Sequence, residues 1–87
     1  MDSNLITQFE AAQAKAKSAA QRPDNETLLK LYAYYKQATT GDAGSDRPGA
    51  FDFVGRAKYD AWAELKGTPP EAAMRGYIFV VAGMDLD

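Results

Sequence analysis

Aromatic and cationic side chains lie close together in one short stretch of the chain. Tyr32, Tyr34, Tyr35 and Lys36 fall within five residues. On a helix, Tyr32 shares one sector with Tyr35 at i+3 and with Lys36 at i+4. An ammonium group attracts phosphate as a compact charge, while a phenol donates a hydrogen bond and its ring stacks on a base. The spacing therefore indicates a nucleotide-phosphate site.

A second group of the same kind follows further along the chain. Arg56, Lys58 and Tyr59 are close in sequence, so a site shared between two helices is one interpretation. The plainer alternative is that the tyrosines belong to the core with their hydroxyls at the surface, and that the lysines are solvated. The residues alone leave both interpretations open, and single aromatic–lysine neighbours are common.

The composition excludes most catalytic chemistry. The chain has 87 residues, no Cys and no His, which removes thiolate nucleophiles, imidazole acid–base catalysis and the commonest zinc ligands. Ten Lys and Arg stand against twelve Asp and Glu, and this balance argues against a general nucleic-acid binder. Asp42 and Asp46 lack the pattern of a calcium loop. We expect neither a metal nor a cofactor.

Length and hydropathy predict a single domain covering residues 1–87. The longest apolar stretch, residues 77–84, is far shorter than the roughly 20 residues of a membrane-spanning helix. The N-terminal residues show no basic segment followed by an apolar one. We expect a cytoplasmic, monomeric protein without stable membrane insertion.

Four helices must position these side chains. Apolar residues at helical spacing predict helices over residues 4–20, 25–40 and 54–66, and a fourth that opens at Thr68-Pro69-Pro70-Glu71. Asn25 and Asp52 are the expected N-caps of the second and third helices, and Thr68 begins a capping box with Glu71. Residues 77–81 also have strand propensity, but the cap and the lack of a partner strand favour a helix.

Two glycines and one tryptophan complete the predicted framework. Gly41 and Gly67 are expected to end the second and third helices, and Trp62 is expected in the core beside Leu65. The segment Gly41–Val54 is long for so small a domain, and such loops are usually functional or mobile. It is long enough to return along the preceding helix, so the second and third helices are either parallel or antiparallel.

The residues from Leu31 to Asp42, LYAYYKQATTGD, resemble the LYxxYKQATxGD signature of acyl-CoA-binding proteins. Arg47-Pro48-Gly49 resembles the RPG element of that family, and residues 57–62, AKYDAW, resemble its AKWDAW element. Leu65-Lys66-Gly67 and the stretch from Glu71 to Ile78 continue the match in order. The resemblance covers residues 9–81, and the motifs are specific as a set.

The resemblance implies an all-α four-helix bundle of up-down-down-up topology, with the long crossover loop between helices 2 and 3. It implies non-catalytic binding and transport of long-chain acyl-CoA, which forms a protected pool for acyl-CoA-using enzymes. By the resemblance, tyrosines and lysines of helices 2 and 3 hold the adenosine and its 3′-phosphate, a tyrosine of helix 4 contacts the ligand, and a basic residue of helix 1 lies near the nucleotide. The implied ligand-contacting residues are Lys17, Tyr32, Ala33, Tyr34, Tyr35, Lys36, Lys58 and Tyr77, with Leu28 and Leu29 near the acyl chain.

Three positions depart from the family pattern. Val54 stands where many members carry a lysine, Tyr59 replaces the more usual tryptophan, and Gln13 replaces a small residue near the adenine. Val54, together with the acidic Asp85 and Asp87, supports an alternative function, a helical interaction module that keeps the fold with weakened or lost ligand binding. A thioesterase or isomerase has less support, because no activated nucleophile is evident.

Overall fold

The computed structural model describes residues 3–84, which contain four helices and no strand. They are α1 (Ser3–Lys17), α2 (Asn25–Thr39), α3 (Phe53–Ala63) and α4 (Pro70–Ala82). The all-α prediction is confirmed, and residues 77–81 are helical, not extended. Asp85 and Asp87 lie outside the described residues. No helix within residues 3–84 is long and apolar enough to cross a membrane.

Of the three predicted N-caps of α2, α3 and α4, the structure confirms one and contradicts two. The Asp52 carboxylate accepts a hydrogen bond from the Gly55 amide at 3.0 Å and caps α3, as predicted. For α2 the cap is Asp24, which accepts from the Thr27 amide at 2.8 Å, and not Asn25, which is already helical. The capping box at Thr68 was wrong, because Pro69 is the N-cap and makes no side-chain cap bond. Pro70 occupies the first helical position, where its missing N–H costs nothing.

The helix ends also differ from the predicted bounds. α1 stops at Lys17, three residues early, and the Ser18 hydroxyl donates to the Lys15 carbonyl at 3.1 Å, satisfying one terminal acceptor. After α3 the chain tightens into i→i+3 bonds, among them Leu65 N to Trp62 O at 3.0 Å. Gly41 and Gly67 have φ of +94° and +89°, a left-handed conformation that glycine adopts without steric cost.

The core lies between α1, α2 and α4. Phe9 of α1 meets Tyr77 of α4 edge-on with centroids 5.2 Å apart, and stacks near Tyr35 of α2 at 6.2 Å. The buried cluster consists of Leu5, Phe9, Ala12, Leu31, Met74, Tyr77 and Val81. α3 contributes no buried residue to it, so this helix is held on the outside of α2.

Contacts along α2 fix the direction of its neighbours. Tyr32 meets Lys58 and, one turn later, Lys36 meets Trp62, so residue numbers rise together and α2 and α3 are parallel. Against α4 the order reverses, because Gln37 bonds to Thr68 whereas Thr27 lies beside Gly83. α2 and α4 are therefore antiparallel. The loop after α1 also lies against Gly83, which makes α1 and α4 parallel and gives the up-down-down-up topology.

The crossover loop is fastened to α3 by side chains. The Arg47 guanidinium makes a two-point contact with the Asp60 carboxylate, Nε to Oδ1 at 2.9 Å and Nη2 to Oδ2 at 2.7 Å. The Tyr59 hydroxyl donates to the Gly44 carbonyl. The Trp62 indole N–H donates to the Gly41 carbonyl at 2.7 Å. These anchors hold the loop along α3.

Trp62 is half-buried, not part of the core as predicted. Its indole ring packs between α2 and α3 with one edge bonded to the loop. A side chain with a polar N–H usually finds an acceptor when buried, and here the acceptor is the Gly41 carbonyl, just after the end of α2. Trp62 therefore joins α3 to the C-terminal end of α2.

One buried polar residue ties three segments together. Gln37 is 1% exposed, and its amide nitrogen donates to the Asp42 carboxylate and to the Thr68 carbonyl, both at 2.9 Å. Asp42 in turn accepts from the Gly67 amide at 2.8 Å. These bonds connect the end of α2 with the turn that leads into α4, and they set the relative positions of the two helices.

Candidate functional site

Two depressions meet on the side of the molecule where α2 faces its neighbours. The first, the tyrosine cleft, has a volume of about 280 Å³. It is lined by Ala16, Lys17, Pro23, Leu28, Leu31, Tyr32, Tyr35 and Tyr77. It lies where α1, α2 and α4 converge, and its walls present three phenol rings and one ammonium group.

The tyrosines of this cleft keep their hydroxyls free. Of the five tyrosines, all within the described range, Tyr59 alone donates its hydroxyl to a protein acceptor. The hydroxyls of Tyr32, Tyr35 and Tyr77 have no hydrogen-bond partner among residues 3–84. Tyr35 is exposed, and no tyrosine hydroxyl is among the buried unpaired polar atoms of residues 3–84. The three hydroxyls are therefore accessible and available to a polar ligand.

Burial changes the acidity of one of these phenols. The pKa of the Tyr77 hydroxyl is raised above its ordinary 10.0, first by desolvation and second by the nearby Tyr35. Tyr77 therefore stays protonated throughout the neutral range and can donate a hydrogen bond.

The lysines beside the cleft rest on aromatic faces instead of carboxylates. The Lys58 ammonium lies 5.3 Å from the centroid of the Tyr32 ring, and the Lys36 ammonium 5.0 Å from that of Trp62. Within residues 3–84 the ion pairs involve only Lys30 with Glu26 and Arg47 with Asp60. A cation–π contact at an exposed site stabilises the position of the ammonium group by about 0.5–1 kcal/mol and does not neutralise its charge. Lys36 and Lys58 are thus positioned cations with their full charge available to an anion.

The second depression, the apolar cleft, runs between α2 and α3 and has a volume of about 390 Å³. Its walls are Arg22, Asn25, Leu28, Leu29, Phe53, Val54, Ala57 and Lys58. It exists because α3 buries no residue and leaves the apolar side chains of α2 partly uncovered. Leu28 lines both clefts, and the Tyr32–Lys58 pair stands at their junction.

The structure brings most of the predicted site residues together. Lys17, Tyr32, Tyr35 and Tyr77 line the tyrosine cleft, Lys58 and Leu29 line the apolar cleft, and Leu28 lines both. Lys36 lines neither and lies one turn beyond Tyr32 on α2.

Ala33 and Tyr34 lie apart from this group. Ala33 is buried, and the Tyr34 ring packs so closely on Gly76 that an added Cβ there would lie 2.4 Å from Cε1. Both border a separate depression with Glu26, Asp60 and Glu64. Residues one and two positions after Tyr32 are turned about 100° and 200° around the helix, which separates them from its sector.

Sequence reasoning missed several walls of the two clefts. Phe53 and Ala57 face α2 at i, i+4 spacing, a signal that becomes usable only once α2 and α3 are known to be parallel. Arg22 and Pro23 come from the α1–α2 connection. Their sequence neighbourhood carries no motif, and folding alone brings them to the site.

The fold and its two joined clefts define a small four-helix protein with an open surface site on both sides of α2. The sequence profile described as acyl CoA binding protein matches residues 7–81, and the chain belongs to this family.

Two relatives match over nearly their whole length. The acyl-CoA-binding protein homolog of Drosophila melanogaster is 46% identical over 77 residues, which cover 88% of this chain and 90% of that protein. Acyl-CoA-binding protein homolog 1 of Caenorhabditis elegans is 45% identical with the same coverage. The crystal structure of Oryza sativa acyl-CoA-binding protein 2 superposes with a TM-score of 0.83 at 42% identity, covering 90% of this chain and 87% of that one.

A third relative is a named enzyme. Enoyl-CoA delta isomerase 2 of Rattus norvegicus is 45% identical over 76 residues, which cover 87% of this chain but 19% of that protein. About four-fifths of the isomerase therefore has no counterpart in the matched region. The match supports the shared helical domain and gives no reason to assign the isomerase activity to this chain.

Proposed function

We propose that the protein binds long-chain fatty acyl-CoA esters without converting them and carries them as a protected pool. The observation that carries this proposal is the junction of two unlike clefts. Cations and free phenols surround one of them, and apolar side chains line the other. An acyl-CoA ester has the same division, with a phosphorylated nucleotide at one end and a hydrocarbon chain at the other.

The nucleotide end belongs, in this proposal, to the tyrosine cleft and the lysines beside it. Lys17, Lys36 and Lys58 supply charge to the phosphates, since a charge-assisted hydrogen bond is about twice as strong as a neutral one. The hydroxyls of Tyr32, Tyr35 and Tyr77 donate further bonds, and the Tyr32 ring is placed to stack on the base.

The acyl chain belongs to the apolar cleft between α2 and α3. Leu28, Leu29, Phe53 and Ala57 offer carbon surface along both helices. Each methylene buried there contributes at most about 0.8 kcal/mol. The thioester lies near the junction, where Lys58 and Tyr32 meet. Ala33 and Tyr34 act on this site only through the packing of α2.

The same reasoning leads us to propose that the chain is not an enzyme. It has no Cys or His, and no described residue forms the nucleophile–base pair that attack on a thioester needs. We further propose a cytoplasmic monomer with one domain over residues 1–87, because the residues of the site all come from one chain. Acyl-CoA-using enzymes are its expected recipients.

Calorimetric titration of palmitoyl-CoA, with free CoA and free palmitate as controls, tests the proposal. Tight binding of the ester with much weaker binding of either fragment is expected, since the two clefts then act on one ligand. Binding of none of the three would favour the interaction module. Release of free thiol from palmitoyl-CoA would instead indicate a thioesterase.

A further inference from the structure

Three large apolar side chains project into solvent where the crossover loop enters α3. Phe51, Phe53 and Val54 are 92%, 74% and 68% exposed, and together they form what we call the apolar corner. Scattered single apolar side chains are ordinary on a protein surface, whereas a contiguous group marks an interaction site.

The corner is held in place and does not result from a loose segment. The Asp52 amide donates to the Gly49 carbonyl at 3.0 Å and closes a turn that carries Phe51 near its tip. The Asp52 carboxylate caps α3 directly behind it. The Arg47–Asp60 contact anchors the preceding loop. The aromatic ring at the tip is therefore presented outward by a fixed backbone.

The corner is continuous with the apolar cleft and carries positive charge around it. Phe53 and Val54 line the cleft, whose walls include the cations Arg22 and Lys58 and no carboxylate. Arg56 lies on the same turn of α3 as Phe53. Asp52, the nearest acid in sequence, accepts a hydrogen bond from the Gly55 amide and keeps its charge, so three cations stand against one carboxylate. This local balance is cationic although the whole chain carries a net charge of -2.

We propose that the apolar corner docks reversibly on an anionic lipid bilayer, with the Phe51 ring in the interfacial region and Arg22 and Lys58 facing the headgroups. Exposed aromatic side chains next to cations have the composition that interfacial binding needs. Docking sets the mouth of the apolar cleft against the bilayer, from which an acyl chain can enter without crossing water. This step rests on the function proposed above.

The test compares two matched phenylalanine variants. Phe51 lines neither cleft, so Phe51→Glu alters the corner alone. Phe79 on α4 is 79% exposed and also lines neither cleft, so Phe79→Glu makes the same change of charge and polarity elsewhere. Flotation with phosphatidylcholine vesicles containing phosphatidylserine measures docking, and calorimetry with palmitoyl-CoA in solution measures ligand binding.

The unaltered protein and Phe79→Glu are expected to bind the vesicles. Phe51→Glu should partition onto them at least about tenfold more weakly than the unaltered protein, which corresponds to about 1.4 kcal/mol or more. All three proteins should bind palmitoyl-CoA alike in solution. The proposal is overturned if the unaltered protein does not float with the vesicles, or if the two variants partition equally. Loss of palmitoyl-CoA binding in the unaltered protein would instead contradict the proposed function, and the two failures are thus distinguishable.

Discussion

The Lys58 ammonium lies 5.3 Å from the centroid of the Tyr32 ring, across the interface of α2 and α3. This pair joins two parallel helices without a carboxylate, and it stands where the tyrosine cleft meets the apolar cleft. A lysine paired with Asp or Glu would already be neutralised, and an anionic ligand would have to displace its partner. The aromatic contact leaves that charge uncompensated.

Replacing Lys58 by Met should weaken palmitoyl-CoA binding by about tenfold to a hundredfold, since a hydrogen bond to a charged group contributes about 1.5–3 kcal/mol. Methionine keeps an unbranched apolar side chain and removes only the charge. The dependence of affinity on salt concentration should also become less steep, because one ionic contact is lost. Calorimetry at several salt concentrations measures both effects.

Lys30→Met is the matched control for this substitution. Lys30 is on α2, lines neither cleft and pairs with Glu26 at 3.6 Å. Its removal should leave the affinity and its salt dependence unchanged. Equal losses in the two variants would mean that general surface charge, and not the position of Lys58, attracts the ligand.

Two tyrosine hydroxyls should have opposite roles. Tyr32→Phe removes a hydroxyl that bonds to no described protein group, so the free energy of unfolding should stay unchanged while palmitoyl-CoA binding weakens by about 0.5–1.5 kcal/mol. Tyr59→Phe removes the bond to the Gly44 carbonyl, so it should lower stability and leave affinity largely intact. Urea denaturation and calorimetry on both variants separate the roles, and a fall in stability for Tyr32→Phe would contradict the assignment.

Local signals in the sequence predict the number and order of the helices, the Asp52 cap and the end of α2 at Gly41. The predicted end of α3 at Gly67 was wrong, because the helix stops at Ala63 and turns with i→i+3 bonds lead from there to Gly67. Other features depend on neighbours that only the fold brings close. The Trp62 indole finds its acceptor at Gly41, 21 residues away, and the ring is half-buried because α3 lies on the outside of α2 and has no buried residue. Long loops of this kind are usually functional or mobile, and the sequence gives no sign of the contacts that Arg47 and Tyr59 make between this loop and α3.

For the candidate site, too, local spacing predicts some features, and others depend on the direction of the helices. The i, i+3 spacing places Tyr32 and Tyr35 in one sector, and the structure puts both in the tyrosine cleft. The residues alone left open whether α2 and α3 are parallel, because the loop is long enough for either direction. As long as the relative direction of α2 and α3 is unknown, spacing cannot predict the contact of Tyr32 with Lys58. For the same reason it cannot predict that Phe53 lines the apolar cleft.

Stability should fall in acid partly through Asp42. Hydrogen bonds from the Gly67 amide and then from Gln37 lower the pKa of its carboxyl below the usual 3.8. A group whose pKa is lowered by folding contributes stability above its unfolded pKa and loses it as the pH falls through the folded pKa. The contribution should therefore be complete at neutral pH, begin to fall as the pH drops towards the ordinary 3.8, and be lost only below the lowered pKa of the folded state. The same holds for Asp24 and Asp60, whose pKa values are lowered by Thr27 and Arg47.

Asp42→Asn tests this contribution, because the amide oxygen can still accept a hydrogen bond but no longer titrates. Urea denaturation from neutral to acid pH should give a shallower decline in the free energy of unfolding for this variant than for the unaltered protein. Asp46→Asn, in an exposed residue of the same loop, should follow the unaltered curve. A parallel decline in all three proteins would exclude Asp42 as a source of the acid sensitivity.

The approach of α2 to α4 depends on the absence of a side chain at Gly76. A Cβ built there lies 2.4 Å from Tyr34 Cε1 and 2.7 Å from Cδ1 and Cζ, closer than carbon atoms can pack. Gly76→Ala must therefore displace the Tyr34 ring or separate the helices. Overpacking of this kind costs about 1–3 kcal/mol, and the greater helix propensity of alanine offsets at most about 1 kcal/mol of it.

Gly44→Ala is the matched control, since a Cβ at that loop position meets no atom within 4 Å. Denaturation should show a clear loss for the first variant and almost none for the second. An unchanged Gly76→Ala protein would show that the Tyr34 ring can move aside freely, and Tyr34 would then not hold the two helices together.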